Sequence, residues 1–155
     1  MPLPLLLDSN ILSKIVHPVR EHDPIVVTVT RLLQDLRYEI YVPEIVDYEL
    51  RRKLLHLSQH PHQARRWARE SLHYLDKLVA AGYVPLTTET MRLAAWLWAD
   101  SRARGQSRGP DDSLDVDVIL AAQANQAGAQ IVTTNEKHFQ GIAEVFDWRP
   151  FAGIS

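Results

Sequence analysis

The chain has no cysteine, so a disulfide framework and a thiolate metal site are both excluded, and any metal would need oxygen or imidazole ligands. Hard cations such as Mg²⁺ or Mn²⁺ become the natural candidates. No apolar run approaches the roughly eighteen residues that cross a bilayer. The apolar opening Leu3 to Leu7 breaks at once on Asp8. A soluble, unprocessed, cytoplasmic protein with no membrane partner is expected. A basic excess is also missing. With a formal charge of -2 there is no global electrostatic case for nucleic acid, although local arginine clusters can meet phosphates while acids hold a metal. Repeats and low-complexity tails are absent. What remains is 155 residues, 46% of them hydrophobic, enough for one compact domain over residues 1–155 with a real core.

Apolar runs of strand length alternate with helical patterns along that domain. Leu3 to Leu7 reads as a buried strand, Asp8-Ser9-Asn10 as a turn or cap, and the next residues as a brief helix ended by His17-Pro18. Asp23-Pro24 opens a helix to about Asp35 with Ile25, Val29, Leu32 and Leu33 on one side. Glu39 to Val42 is a second strand, and Pro43 starts a helix through about Leu57. A long polar helix from about Pro61 to Ala81 is stopped by Gly82; Tyr83-Val84 is a short strand, and Thr88 caps a helix to about Arg104. Gly105 to Ser113 is the clear loop. Asp115 to Ala127 then reads as a helix closed by Gly128, Ile131 to Thr134 as a buried strand, and Val145 to Asp147 as a last short strand. Strands alternating with helices predict an α/β fold with a parallel sheet.

Parallel sheets present chemistry at the C-terminal ends of their strands, which directs attention to particular acids. Asp8 ends the first strand; alone, it reads as a helix cap. Glu49 lies on the helix opened by Pro43, where successive residues turn by about 100°, so Asp47 points roughly 200° and Glu44 roughly 140° away from it. Asp115 and Asp117 stand about 200° apart by the same geometry. Asp117 shares its side with Leu120 and Ala121 and is the inward acid. Asp112 or Ser113 is then the cap, and Asp115 favours the helix dipole. Three carboxylates brought together repel one another and raise pKa values unless a divalent cation is present. Mg²⁺ takes one or two carboxylates directly and leaves others to orient water, an arrangement suited to phosphodiester hydrolysis.

Taken together, Leu-Leu-Leu-Asp8-Ser-Asn10, Tyr48-Glu49-Leu50, Asp117-Val-Ile-Leu-Ala-Ala122 and Val132-Thr-Thr-Asn135 with His138-Phe139 resemble the PIN-domain ribonucleases, and most nearly the VapC-like toxins of toxin-antitoxin pairs. The resemblance covers nearly the whole chain. It implies a three-layer α/β/α sandwich with a parallel central sheet, and Mg²⁺- or Mn²⁺-dependent cleavage of RNA. It also implies a cognate antitoxin and a homodimer. By motif, Asp8, Glu49 and Asp117 match the metal-binding acids and Asn135 the fourth catalytic position, often Asp in the family. An amide there ligates or orients but neither neutralises charge nor accepts a proton as a carboxylate does. Ser9, Asp115 and Thr133 are supporting candidates.

Other features read more plainly. His56, His60 and His62 lack a second ligand pair for zinc, and His138 reads as a loop packing residue. Arg51, Arg52, Lys53, Arg65, Arg66, Arg69, Arg102, Arg104 and Arg108 form solvated faces, some of which would track an RNA backbone. On the helix from Thr88, Met91, Ala94, Ala95 and Trp98 share one side, while Trp96 projects from the polar sector toward the Gly105 loop or a partner. The alternative function is a non-catalytic RNA-binding or protein-interaction module of the same fold.

Overall fold

A computed structural model describes residues 1–18, 23–59, 64–105 and 111–153, excluding the side chains of residues 111–114. The chain runs β1 (Leu3–Leu7), α1 (Ser9–Val16), α2 (Pro24–Gln34), β2 (Tyr38–Pro43), α3 (Glu44–Ser58), α4 (Ala64–Ala81), β3 (Tyr83–Val84), α5 (Thr88–Ala103), α6 (Asp111–Ala127) and β4 (Gln130–Val132). Two 3₁₀ turns follow, Glu136–Phe139 and Arg149–Ala152. The strands form one parallel sheet in the order β3-β2-β1-β4. Right-handed crossovers carry β1 outward to β2 and β3 along one face. The return from β3 to β4, through α5 and α6, therefore covers the other face. The sheet is thus the middle of three layers.

β1 lies at the centre, paired with β2 through Leu3 to Leu6 and with β4 through Leu5 to Leu7. That position explains its unbroken apolar run, since a strand covered on both faces has no polar side to present. Leu5, Leu6 and Leu7 are all fully buried. The run stops where the core stops, at Asp8.

Several local expectations shift on inspection. The cap of α5 is Thr87, whose hydroxyl accepts from the Thr90 N–H at 3.1 Å, and Thr88 is already helical. Pro43 belongs to the end of β2 and precedes α3. α6 begins at Asp111, so Asp112 and Ser113 are helical residues rather than caps, and the loop ends sooner. The start of the polar helix near Pro61 lies outside the described residues, as do His60 and His62. Leu33, expected on the buried side, is half exposed, although Val26 at about 100° from Ile25 is buried. The expected last strand is reduced to a single parallel bridge, Ile131 to Val145.

Glycine roles also divide. Gly128 takes φ 61 and ends α6 as expected, while the Ala129 N–H reaches back to the Ala124 carbonyl at 2.9 Å. Gly82 does not adopt a left-handed conformation. It is glycine because a Cβ there would stand 2.7 Å from the Ile40 carbonyl oxygen; its own carbonyl accepts from the Val42 N–H at 2.9 Å. Close approach to β2 is what requires it.

Among the described residues, no helix is long and apolar enough to cross a membrane.

Candidate active site

Asp8 leaves β1 and caps α1 with the same residue. Its backbone N–H continues the ladder to the Val132 carbonyl at 3.0 Å, and its carbonyl accepts from Ile11 and Leu12. One carboxylate oxygen accepts from the Ser9 N–H at 2.7 Å. The other accepts from the Thr133 hydroxyl, also at 2.7 Å. The cap reading and the site reading of Asp8 therefore describe one side chain.

Thr133 follows β4 directly and is fully buried. While its hydroxyl donates to Asp8, it accepts from the Asn135 N–H at 2.9 Å, and its carbonyl accepts from the Trp148 indole N–H at 3.1 Å. Both polar ends are engaged, so Thr133 fixes the Asp8 carboxylate against the end of β4. This supporting role suits a short polar β-branched residue at a strand end.

Asp117 is 8% exposed, against an exposed Asp115. Asp115 faces α5, beside Met91 and Trp98, and is not brought to Asp8. The same helix is anchored by buried Gln123, whose amide donates to the Val84 carbonyl at 2.8 Å and accepts weakly from the Ile45 N–H at 3.4 Å. Those bonds tie α6 to the end of β3 and the start of α3. Asp117 lies six residues earlier on the helix so anchored, about 240° round from Gln123.

Glu49 is half-buried on α3, flanked by buried Val46 and Leu50. Its neighbours on that helix are spent elsewhere. Asp47 pairs with Arg51 at 2.9 Å, and Arg51 with Asp76 at 2.8 Å. Glu44 accepts weakly from the Leu86 N–H at 3.4 Å, and burial, reinforced by the Glu44 hydrogen bond, pushes the Tyr83 hydroxyl up to about 12. Glu49 is the acid whose charge reaches Asp8.

Burial pushes the Asp8 carboxyl above the usual carboxylate range, and the Glu49 charge pushes it the same way. Thr133, the Ser9 N–H and the His138 ring pull against them without prevailing. His138 matters here beyond packing, contrary to its reading as a loop residue. Its Nδ1 stands 3.2 Å from the Asp117 carboxylate, and it also acts on Asp8. Phe139 beside it is the buried packing residue. The sequence signal was adjacency to the Asn135 motif, but a turn of four residues has no periodicity from which to read which side chain points inward.

Asn135 is exposed and precedes that turn without a side-chain capping bond. Ser9 contributes its backbone N–H. Asn10, quoted in the motif but not singled out, donates to the Thr134 hydroxyl at 2.5 Å and latches α1 to the end of β4. Its Oδ1 is buried with no hydrogen-bond partner among the described residues.

A model of the PIN domain matches residues 5–145. The chain belongs to the PIN-domain family. No curated protein sequence matches it significantly. Its fold is shared with a chain of VapBC2 from Rickettsia felis bound to a promoter DNA fragment, at 17% identity over 93% of this chain and 98% of that one, TM-score 0.70. FitAcB from Neisseria gonorrhoeae has 20% identity over 93% and 97%, with TM-score 0.70. VapBC-1 from nontypeable Haemophilus influenzae has 17% identity over 94% and 98%, with TM-score 0.68. At these identities the likeness is one of fold.

The donor set of this PIN domain suits a hard cation. Two buried carboxylates, Asp8 and Asp117, and a third acid whose charge reaches the first offer oxygen donors with an excess of negative charge. Among the described residues no three His, Asp or Glu side chains are spaced to hold an ion between them.

Proposed function

We propose that this PIN domain is a metal-dependent endoribonuclease acting as the toxin of a toxin-antitoxin pair. The observation that carries it is the pair of buried carboxylates at one sheet edge, Asp8 held by Thr133 and Asp117 contacted by His138, with Glu49 acting on Asp8. Asp8 and Asp117 would hold Mg²⁺ or Mn²⁺ with Glu49 beside them, and the ion would supply polarisation of the phosphate and a more acidic water. The chain's own residues do the rest. Thr133 orients Asp8, His138 orients Asp117, and the exposed Asn135 amide offers a donor or acceptor to the RNA without taking a proton.

The purified protein is expected to cut single-stranded or structured RNA with added Mg²⁺ or Mn²⁺ and to stop when the metal is chelated. Cleavage that continues undiminished in excess chelator would remove the metal from the proposal. A second reading, a non-catalytic RNA-binding or interaction module, is favoured by the open spacing of the acids and by Asn135 in place of a fourth acid. Turnover by the pure protein counts against that reading.

The toxin role is supported by the family resemblance and by the VapBC and FitAcB assemblies that share the fold. Two apolar grooves offer surfaces for partners. One, of about 560 Å³, has Leu50, Leu54, Leu57 and Trp67 between α1, α3 and α4, with Lys14 and Lys53 at its rim. We assign it to the antitoxin. The other, of about 540 Å³, runs beside α3 and α5 and includes exposed Tyr48, Leu55 and Met91. It is assigned to a homodimer contact, which would cover the exposed Met91 of α5. Expression alone should arrest growth, and coexpression with the product of a small adjacent reading frame should relieve it; unimpaired growth without that product would count against the toxin role.

A further inference from the structure

Beside the acids lies a polar cavity of about 370 Å³, lined by residues of the Thr133 to His138 segment together with Trp148 and Arg149. It shares two walls with the proposed cleavage site. Thr133 holds Asp8, and His138 contacts Asp117. Anything seated in the cavity is therefore the immediate neighbour of the acids. Its volume is in the range of small-molecule sites and accommodates a nucleobase.

The chemistry of the walls narrows the occupant. Trp148 is half-buried, and its indole N–H is already donated inward to the Thr133 carbonyl at 3.1 Å. What it presents to the cavity is carbon surface, suited to stacking and not to hydrogen bonding. Arg149 is held by Asp147 at 2.8 Å, which orients the guanidinium, and it lies 3.5 Å from the Glu136 carboxylate. A forked donor and an acceptor thus stand side by side at the cavity wall. An aromatic surface next to a donor-acceptor pair matches an unstacked base: the ring stacks while its edge is hydrogen-bonded.

We infer that this cavity is a nucleobase subsite, in which a base flanking the scissile phosphate stacks on Trp148 with its edge toward Glu136 and Arg149. The inference rests on RNA being the substrate, but not on cleavage. It predicts that recognition beside the cut depends on one unpaired nucleotide.

The test uses the full-length protein in chelator and a short fluorescein-labelled single-stranded RNA, with binding read by fluorescence anisotropy. A matched set of RNAs carries one abasic position moved along the strand. Trp148→Leu, with folding verified by circular dichroism, should bind the intact RNA about 5- to 150-fold more weakly, the range for one lost base stack. One abasic position should weaken the wild type by a similar factor and leave Trp148→Leu unchanged. Trp148→Phe keeps a ring but loses the N–H, so it should bind nearly as the wild type does.

Equal weakening in the Phe and Leu variants would show that the N–H bond to Thr133 matters structurally, and would overturn the subsite. So would wild-type affinity in Trp148→Leu, or no RNA binding by the wild type. Trp148-dependent binding without metal-stimulated cleavage would leave the subsite standing while the nuclease reading falls. Cleavage with Trp148-independent binding would do the reverse.

Discussion

Asp8→Asn is expected to abolish most metal-stimulated RNA cleavage, a loss of about 100-fold or more, because it removes a charged ligand for the ion, while raising the melting temperature. The two effects have one origin. Asp8 is 7% exposed, and burial, reinforced by Glu49, makes its ionised form costly in the folded protein. Because its pKa is raised on folding, the native state binds protons more readily than the unfolded chain. Stability linked to Asp8 is therefore fully present below the ordinary carboxylate pKa and is lost as pH rises through the raised value. Above that raised value the charge is a burden on the fold.

Asparagine removes that charge and keeps the local structure. It caps helices about as well as aspartate, and its side-chain oxygen can still accept from Ser9 or Thr133. Thermal unfolding across pH 4 to 8 checks the prediction. The wild type should gain stability relative to Asp8→Asn as pH falls, and added Mg²⁺ should raise the melting temperature of the wild type more than that of the variant. An Asp8→Asn protein that cleaves RNA at the wild-type rate, or that melts lower at neutral pH, would break the account.

Leu6→Ala is expected to cost about 2–5 kcal/mol, the range for Leu→Ala in a close-packed interior. Leu6 is fully buried in the central strand, opposite Tyr41 on one side and Ile131 on the other. For a domain of this size the loss corresponds to a melting temperature lower by roughly 4–20 °C. Leu36, 95% exposed, provides the control, and Leu36→Ala should unfold within about 0.5 kcal/mol of the wild type. Denaturant titration with an unchanged m-value measures both. Near-equal stability of the two variants would mean that β1 is not the centre of the core.

The catalytic consequence of the core lies two residues further on. β1 delivers Asp8 to the sheet edge, so looseness at Leu6 should also reduce cleavage, though less than loss of the carboxylate does. This couples the two predictions physically.

Much of this was legible along the chain because its causes are local. An unbroken Leu-Leu-Leu ending on Asp8 states that a doubly covered strand stops at a polar cap, and both halves of that reading hold. The 100° turn per residue separates Asp117 from Asp115 before any packing is known, and the two differ in burial as expected. Where the same reasoning slipped, neighbouring residues of similar propensity competed. Thr87 and Thr88 are both good caps, and only the observed hydrogen bond to Thr90 chooses between them. Asp111 begins α6 ahead of the cap candidates because several polar residues there can enter a first helical turn.

The sequence by itself determined the elements, the parallel α/β class and which of Asp115 and Asp117 turns inward, since periodicity and capping act over one or two helical turns. Thr133 was already a supporting candidate, but only the tertiary structure decided that Asp8, 125 positions away, is the acid it holds, that His138 would face Asp117, and that Trp148 would line a cavity beside them. Those contacts depend on the order β3-β2-β1-β4, which sets β4 against β1 after the chain has crossed the sheet. No spacing in the sequence encodes such a meeting, because it is the packed sheet that brings the residues together.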